Sequence, residues 1–134
     1  MLLDAATQRY IEEIVKVEGG YVDDPNDSGG ETNFGITVAV ARAFGYVNSM
    51  RDMTQAQAMQ IYKARYWDPL RLDEVVVLSP ALAHELLDTG VNTGVSQAGI
   101  FLQRALNVLN KQGGLYQDVT ADGRVGPMTL AALR

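Results

Sequence analysis

Signals that begin helices recur along the whole chain. Thr54 followed by Gln57 has the spacing of a capping box, and Ser79 before Pro80 pairs an N-cap residue with a favoured first-turn residue. Apolar residues at helical spacing follow these signals, as Ile11 and Val15 show in the first segment. We therefore expect a mainly α domain built from short helices.

The same signals predict where each helix lies. The expected helices cover residues 5–17 with Asp4 as N-cap, 38–44 with Thr37 as N-cap, 55 to the Asp68-Pro69 stop, 80–89 with Gly90 as stop, a long helix capped by Ser96 that breaks at residues 111–114, and a last helix from Gly126-Pro127. Residues 21–36 are predicted to form a loop with a short hairpin around the sequence ETNFGI.

Composition excludes several classes of protein. The 134 residues suffice for one domain, or for one domain and a fragment of a second, and they include no cysteine and one histidine. Disulfides and thiolate metal sites are thereby excluded, and a histidine-rich metal site has little scope. A net charge of −5 without a lysine–arginine cluster makes nucleic acid an improbable partner.

The N-terminal residues lack a basic segment followed by a long apolar run, and no stretch reaches about 18 apolar residues. We therefore expect neither a secretion signal nor a membrane span. We also expect the protein to be a monomer that is made in the cytoplasm. If the protein works elsewhere, another route must let it out.

An acidic, glycine-rich run follows the first predicted helix. Residues 17–37 read VEGGYVDDPNDSGGETNFGIT and carry five carboxylates, at Glu18, Asp23, Asp24, Asp27 and Glu31. Three interpretations compete: a cation-binding loop, an acid-catalysis site, or a solvated turn.

The sequence matches only half of the pattern that a cation-binding loop requires. The run from Asp24 matches the opening of an EF-hand loop, but the twelfth position, which should be a chelating glutamate, is Gly35. A second such opening at Asp118 fails in the same way at Thr129. Turn chemistry explains both runs better, and we expect no metal and no cofactor.

The acid-catalysis interpretation rests on Glu18, at the end of the first predicted helix. The negative end of the helix dipole and the neighbouring aspartates both disfavour an ionised carboxylate there, which suits a general acid. A second carboxylate, Asp27 or Asp24, would stay charged in the polar loop, and two carboxylates in contrasting environments form the glycosidase arrangement. An exposed helix-end glutamate among solvated aspartates is the plainer alternative.

The sequence EGGYVDDPNDSGGETNFGIT resembles the signature region of glycoside hydrolase family 108, phage and bacterial N-acetylmuramidases of the lysozyme-like superfamily. The resemblance continues through IYKARYWDPLRL, ELLDTGVNTGVSQAGIFLQRALN and DGRVGPMTLAAL. It implies a lysozyme-like helical domain, with a catalytic region over 1–95. Residues 96–134 would supply a closing helix and the start of a peptidoglycan-binding segment, apparently cut short.

The resemblance also implies roles for individual residues. Glu18 would be the catalytic acid and Asp27, nine positions on, the second carboxylate, whereas the threonine expected six residues later is replaced by Asn33 beside Thr32. The implied reaction is hydrolysis of the β-1,4 bond between N-acetylmuramic acid and N-acetylglucosamine. The alternatives are a lytic transglycosylase and a non-catalytic wall-binding or phage structural module.

Peptidoglycan glycan strands are the expected partner, reached through a phage holin or another export route. Aromatic rings suit sugar surfaces, although an aromatic stripe at helical spacing is more often core. The candidate substrate contacts are Asp24, Thr32, Asn33, Tyr66, Trp67 and Asn92, the last in a predicted turn.

Overall fold

The structure is a computed structural model, and it describes residues 5–24, 30–109, 119 and 121–133. The expected lysozyme-like, mainly α fold is confirmed, with one small hairpin. The elements are α1 Ala5–Val17, β1 Thr32–Asn33, β2 Ile36–Thr37, α2 Val38–Ala43, a 3₁₀ helix Met50–Asp52, α3 Gln55–Tyr62, a π-helix Lys63–Trp67, α4 Leu72–Leu78, α5 Pro80–Thr93, α6 Val95–Leu109 and α7 Pro127–Leu133. Contacts divide the chain into two compact units, Met1–Ala64 and Arg65–Arg134.

In the first unit, α1 packs against α3 through the apolar face that its sequence spacing predicts. Ile11 and Val15 are fully buried there, one turn apart. Two predicted helix caps are confirmed: the Thr37 side chain accepts the Val40 N–H, and Thr54 forms the expected capping box. These local signals fix where α2 and α3 begin.

The third helix changes geometry before it ends. Residues Lys63–Trp67 form a π-helical turn directly after α3, and the helical run stops before Asp68 as predicted. Such π-turns are rare in proteins, and those that occur often lie at functional sites. The sequence carries no signal that predicted this one.

In the second unit, α5 packs against α4 and α6, and α7 packs against α4 and α6. Ser79 caps α5 as predicted, by accepting the Leu82 N–H. The expected stop at Gly90 is wrong, because α5 continues to Thr93. Gly90 is buried inside the helix, and a Cβ placed there would lie 3.4 Å from the Leu70 side chain, an ordinary van der Waals distance.

Two further differences concern the starts of helices. The helix α4 was not predicted, and α6 begins at Val95, so Ser96 lies inside its first turn and not at the cap. The predicted start of α7 at Pro127 is confirmed. The predicted N-cap Asp4 lies outside the described residues.

A buried glutamine of α6 holds the loop that precedes α7. The Gln103 side chain is 1% exposed. Its Nε2 shares two protons among the carboxylate of Asp122, the carbonyl of Arg124 and the hydroxyl of Thr129, and its Oε1 accepts the Gly123 N–H. One turn further along, Asn107 exchanges two hydrogen bonds with the backbone of Val119. We call residues 119 and 121–124, with these two side chains, the loop clamp.

Within the described part of the chain, no helix combines the length and the apolar character that crossing a bilayer requires.

Candidate active site

Glu18 directly follows α1, where the sequence places it. Its N–H still donates to Ile14 O over 3.1 Å, and the next residue, Gly19, turns the chain away with φ of 92°. The Glu18 side chain is exposed. The buried residues of α1 therefore anchor the helix, while the carboxyl that follows the helix reaches the surface.

The hairpin turn lies against this carboxyl. Phe34 and Gly35 form a two-residue turn with φ of 52° and 73°, the signs of a type I′ hairpin. A Cβ placed on Gly35 would lie 3.2 Å from Glu18 Cβ, from Glu18 Oε2 and from the Tyr62 hydroxyl. The missing side chain at Gly35 is thus what leaves room for Glu18, and we call this space the Gly35 notch.

The acidic loop is closed at its base by backbone pairing. Val22 and Thr32 exchange two hydrogen bonds, of 2.9 and 2.7 Å, which adds an isolated bridge to the hairpin. Asp23 and Asp24 are exposed just inside this base. Asp27 lies outside the described residues, so its role stays a prediction. The bridge ties both ends of the loop to the sheet whose turn contacts Glu18.

One of the five carboxylates has a different partner. The Tyr21 hydroxyl donates to Glu31 over 2.5 Å, and the Arg51 guanidinium carbon lies 4.2 Å from the centroid of the Tyr21 ring. The hydrogen bond to Glu31 raises the pKa of Tyr21 above its usual value, with desolvation and the Glu31 charge in the same direction. Glu31 is therefore engaged by Tyr21, which makes it a poor candidate for the second catalytic carboxylate.

Comparison with known protein families assigns the chain to one of them. The Glycosyl hydrolase 108 family matches residues 11–94, which include Glu18 and the whole hairpin. The chain belongs to glycosyl hydrolase family 108. A second match, to the Predicted Peptidoglycan domain, covers residues 97–134. Together the two matches support a glycoside hydrolase that acts on peptidoglycan.

A solved structure agrees with this assignment. The structure of Brucella abortus SagA is similar with a TM-score of 0.70 and 30% sequence identity, over 97% of this chain and 70% of that one. No curated protein matches the chain significantly.

Within this family 108 chain, two of the predicted substrate contacts prove to be structural. Trp67 has no exposed surface, and its indole N–H donates to Asp73 over 2.9 Å, so its ring cannot stack on a sugar. Asn33 is 4% exposed, and its amide donates to Met50 O over 2.7 Å. Both are corrections: the buried ring belongs to the core, and the amide ties β1 to the 3₁₀ helix.

The remaining predicted contacts lie in different places. Thr32 is half-buried in β1, beside the loop base. Tyr66 is half-buried in the second unit, with the Arg65 guanidinium 5.2 Å from its ring centroid. Asn92 is exposed in the last turn of α5 and not in the expected turn between helices. Their roles in binding stay predictions.

Gly35 and Tyr62 border the site but were not among the predicted site residues. The signal for Gly35 was present, because a glycine as the second residue of a two-residue hairpin turn marks positive φ. Tyr62 gave no signal, since it is 28 residues from its hydrogen-bond partner Phe34.

Both half-matches to a calcium loop lie partly outside the described residues, so the expectation of no metal stays a prediction. No group of three or more histidine, aspartate or glutamate side chains could hold a metal ion among the described residues. Asp122, in the second half-match, accepts from the Arg124 N–H and from Gln103, and these bonds lower its pKa. That carboxylate therefore organises its own turn.

Proposed function

We propose that this family 108 protein is an N-acetylmuramidase, which hydrolyses the β-1,4 bond between N-acetylmuramic acid and N-acetylglucosamine. The observation that carries the proposal is the exposed Glu18 carboxyl, which follows α1 and lies against the hairpin turn within the matched region. We further propose that the protein is made in the cytoplasm and reaches the wall by a holin or another export route.

In the proposed reaction, protonated Glu18 donates its proton to the glycosidic oxygen. The bond from the anomeric carbon to that oxygen breaks, its electron pair stays with the departing sugar, and the anomeric carbon develops oxocarbenium character. A water molecule then adds to this carbon and loses a proton to a carboxylate. The products are two glycan fragments, one with a new reducing end.

Asp27 is the proposed second carboxylate, which would stabilise the positive charge or orient the water. It shares the loop closed by Val22 and Thr32 with Asp24, and the resemblance to the family favours Asp27. Carboxyl groups about 5 Å apart would act with retention, and groups about 6.5–9.5 Å apart with inversion.

Replacing each aspartate by asparagine compares the two candidates. We expect Asp27→Asn to lower kcat more than Asp24→Asn, with KM little changed, because the charge acts chiefly in the transition state. The reverse order would transfer the role to Asp24.

Analysis of the reaction products tests the proposed function. Purified peptidoglycan would be digested with the protein, and the soluble fragments identified by mass spectrometry. Fragments with reducing-end N-acetylmuramic acid are expected. Anhydro sugars would show a lytic transglycosylase, and no fragments at all would favour a non-catalytic wall-binding module.

A further inference from the structure

Two side chains from separate parts of the first unit, Glu18 and Tyr62, border the Gly35 notch. A Cβ at Gly35 would lie 3.2 Å from each of Glu18 Cβ, Glu18 Oε2 and the Tyr62 hydroxyl oxygen. Contacts this short are tighter than most real Cβ contacts, so Glu18 or Tyr62 would have to shift to admit a side chain at position 35. The carboxyl of Glu18 and the hydroxyl of Tyr62 therefore border the same small space on the surface of the turn.

The Tyr62 hydroxyl is held firmly where it borders this space. Tyr62 is the last residue of α3, is 4% exposed, and donates its hydroxyl proton to Phe34 O over 2.7 Å. Phe34 has φ of 52°, a conformation that is strained for a bulky residue and persists only where its surroundings hold it. The hydrogen bond from Tyr62 is one such restraint, and it links α3 to the turn beneath Glu18.

The chemistry of the hydroxyl matters as well as its position. A tyrosine has one O–H proton, and Tyr62 gives it to the Phe34 carbonyl. Its oxygen can then only accept a further hydrogen bond. A protonated carboxyl can donate such a bond, whereas a carboxylate cannot. A direct hydrogen bond from Glu18 to this oxygen would therefore require Glu18 in its acid form.

We propose that Tyr62 is a positioning residue for Glu18, which acts by fixing the Phe34–Gly35 turn and by presenting its oxygen at the Gly35 notch. The inference rests on the proposed role of Glu18 as the acid. The turn, the glycine and the tyrosine form one device: Gly35 leaves the space, and Tyr62 fixes its edge. The orientation of the acid toward the glycosidic oxygen then depends on a residue that need not touch substrate.

A pair of tyrosines in the first unit supplies a matched test. Tyr46 is 8% exposed, and like Tyr62 its hydroxyl donates to a backbone carbonyl, that of Ser49, over 2.6 Å. Tyr62→Phe and Tyr46→Phe each remove one such bond and should lower the melting temperature alike. We expect Tyr62→Phe alone to lower kcat, by about tenfold, with KM on soluble peptidoglycan fragments changed less than about twofold.

A second readout does not depend on activity. The carboxyl carbon of Glu18 can be followed by NMR in protein labelled at glutamate, with Glu18→Gln used to assign its signal. This signal should move in Tyr62→Phe and stay in place in Tyr46→Phe. If both variants leave it in place and have the same kcat, the positioning role is wrong. If the wild-type protein does not cleave peptidoglycan, the proposed function fails and the NMR comparison alone decides the positioning.

A pair of glycines tests the notch itself. Gly35 and Gly45 both have positive φ, of 73° and 89°, but a Cβ at Gly45 would meet nothing within 4 Å. Alanine at either position is strained by the positive φ, and only at position 35 would it also press on Glu18 and Tyr62. Gly35→Ala should move the NMR signal of Glu18, and its kcat should be at least about tenfold lower than the kcat of Gly45→Ala. If the two variants have the same kcat and the same Glu18 signal, the proposed role of the Gly35 notch is wrong.

Discussion

The hairpin site of the first unit and the loop clamp of the second use polar side chains in opposite ways. In the loop clamp, the Gln103 amide is 1% exposed and makes four hydrogen bonds with residues 122–129. In the hairpin site, the Glu18 side chain is exposed beside a turn with positive φ at a phenylalanine. A buried polar group with its bonds satisfied specifies the fold, whereas an exposed one beside a strained turn is available to a substrate.

Glycine shows the same contrast. A Cβ at Gly99 would lie 2.4 Å from the backbone oxygen of Gly123, so this glycine allows α6 and the loop clamp to touch. A Cβ at Gly35 would meet side-chain atoms of Glu18 and Tyr62. One glycine permits backbone packing, and the other makes space for a functional group.

Removing the amide of the loop clamp should give the largest change in stability. Gln103→Leu keeps the apolar bulk but leaves the Gly123 N–H and the Arg124 carbonyl without their partner, at an expected cost of about 3 kcal/mol in the free energy of unfolding. Gln60→Leu is the control, because Gln60 is exposed and should change stability by less than about 0.5 kcal/mol. Denaturant unfolding measures both, and a loss below 1 kcal/mol for Gln103→Leu would mean that the amide bonds are not what holds the loop.

The stability of the folded protein should depend on pH through a different group in each region, at high pH in one and at low pH in the other. These effects should be smaller than that of Gln103→Leu. The pKa of Tyr21 is raised above 10.0, chiefly by its bond to Glu31, so folding gains stability that is present below pH 10.0 and lost as pH rises through the raised value. The pKa of Asp122 is lowered below 3.8, chiefly by the Arg124 N–H, so its contribution is present above pH 3.8 and lost as pH falls through the lowered value.

Variants that keep shape but do not titrate check this assignment. Melting temperature measured against pH should lose part of its alkaline fall in Tyr21→Phe and part of its acid fall in Asp122→Asn. The assignment is wrong if each variant shifts the curve equally at all pH values.

The smallest expected effect is that of a chelator. Both half-matches to a calcium loop lack a chelating side chain at the twelfth position, where Gly35 and Thr129 stand. Wall cleavage should therefore proceed at an unchanged rate in excess EDTA. Loss of activity that added calcium restores would revive the cation interpretation of the acidic loop.

What the sequence could predict is mostly local. The caps at Thr37, Thr54 and Ser79 were predictable because an N-cap is a contact between residues two or three positions apart. The placement of Glu18 after α1 followed from the same kind of signal, together with the glycines after it. The family resemblance then supplied a role for this residue that its spacing alone left open.

What the sequence could not predict depends on contacts between distant residues. Gly90 looks like a helix stop, yet α5 continues past it to Thr93, and Gly90 is buried beside Leu70 and Val95 in the folded chain. Asn33 and Trp67 looked available for substrate until Met50 and Asp73 proved to be their partners. Burial and hydrogen bonding in the folded chain, and not residue type, decide which polar and aromatic groups stay free for function.

The activity of Glu18→Gln tests the central claim most directly. Glutamine keeps the size of the side chain but cannot transfer the proton, so release of wall fragments should fall by about 10²–10⁴-fold while the melting temperature stays unchanged. Glu13→Gln, at an exposed position of α1, is the matched control and should keep wild-type activity. A Glu18→Gln protein that retains more than about a tenth of wild-type activity would contradict the assignment of Glu18 as the general acid.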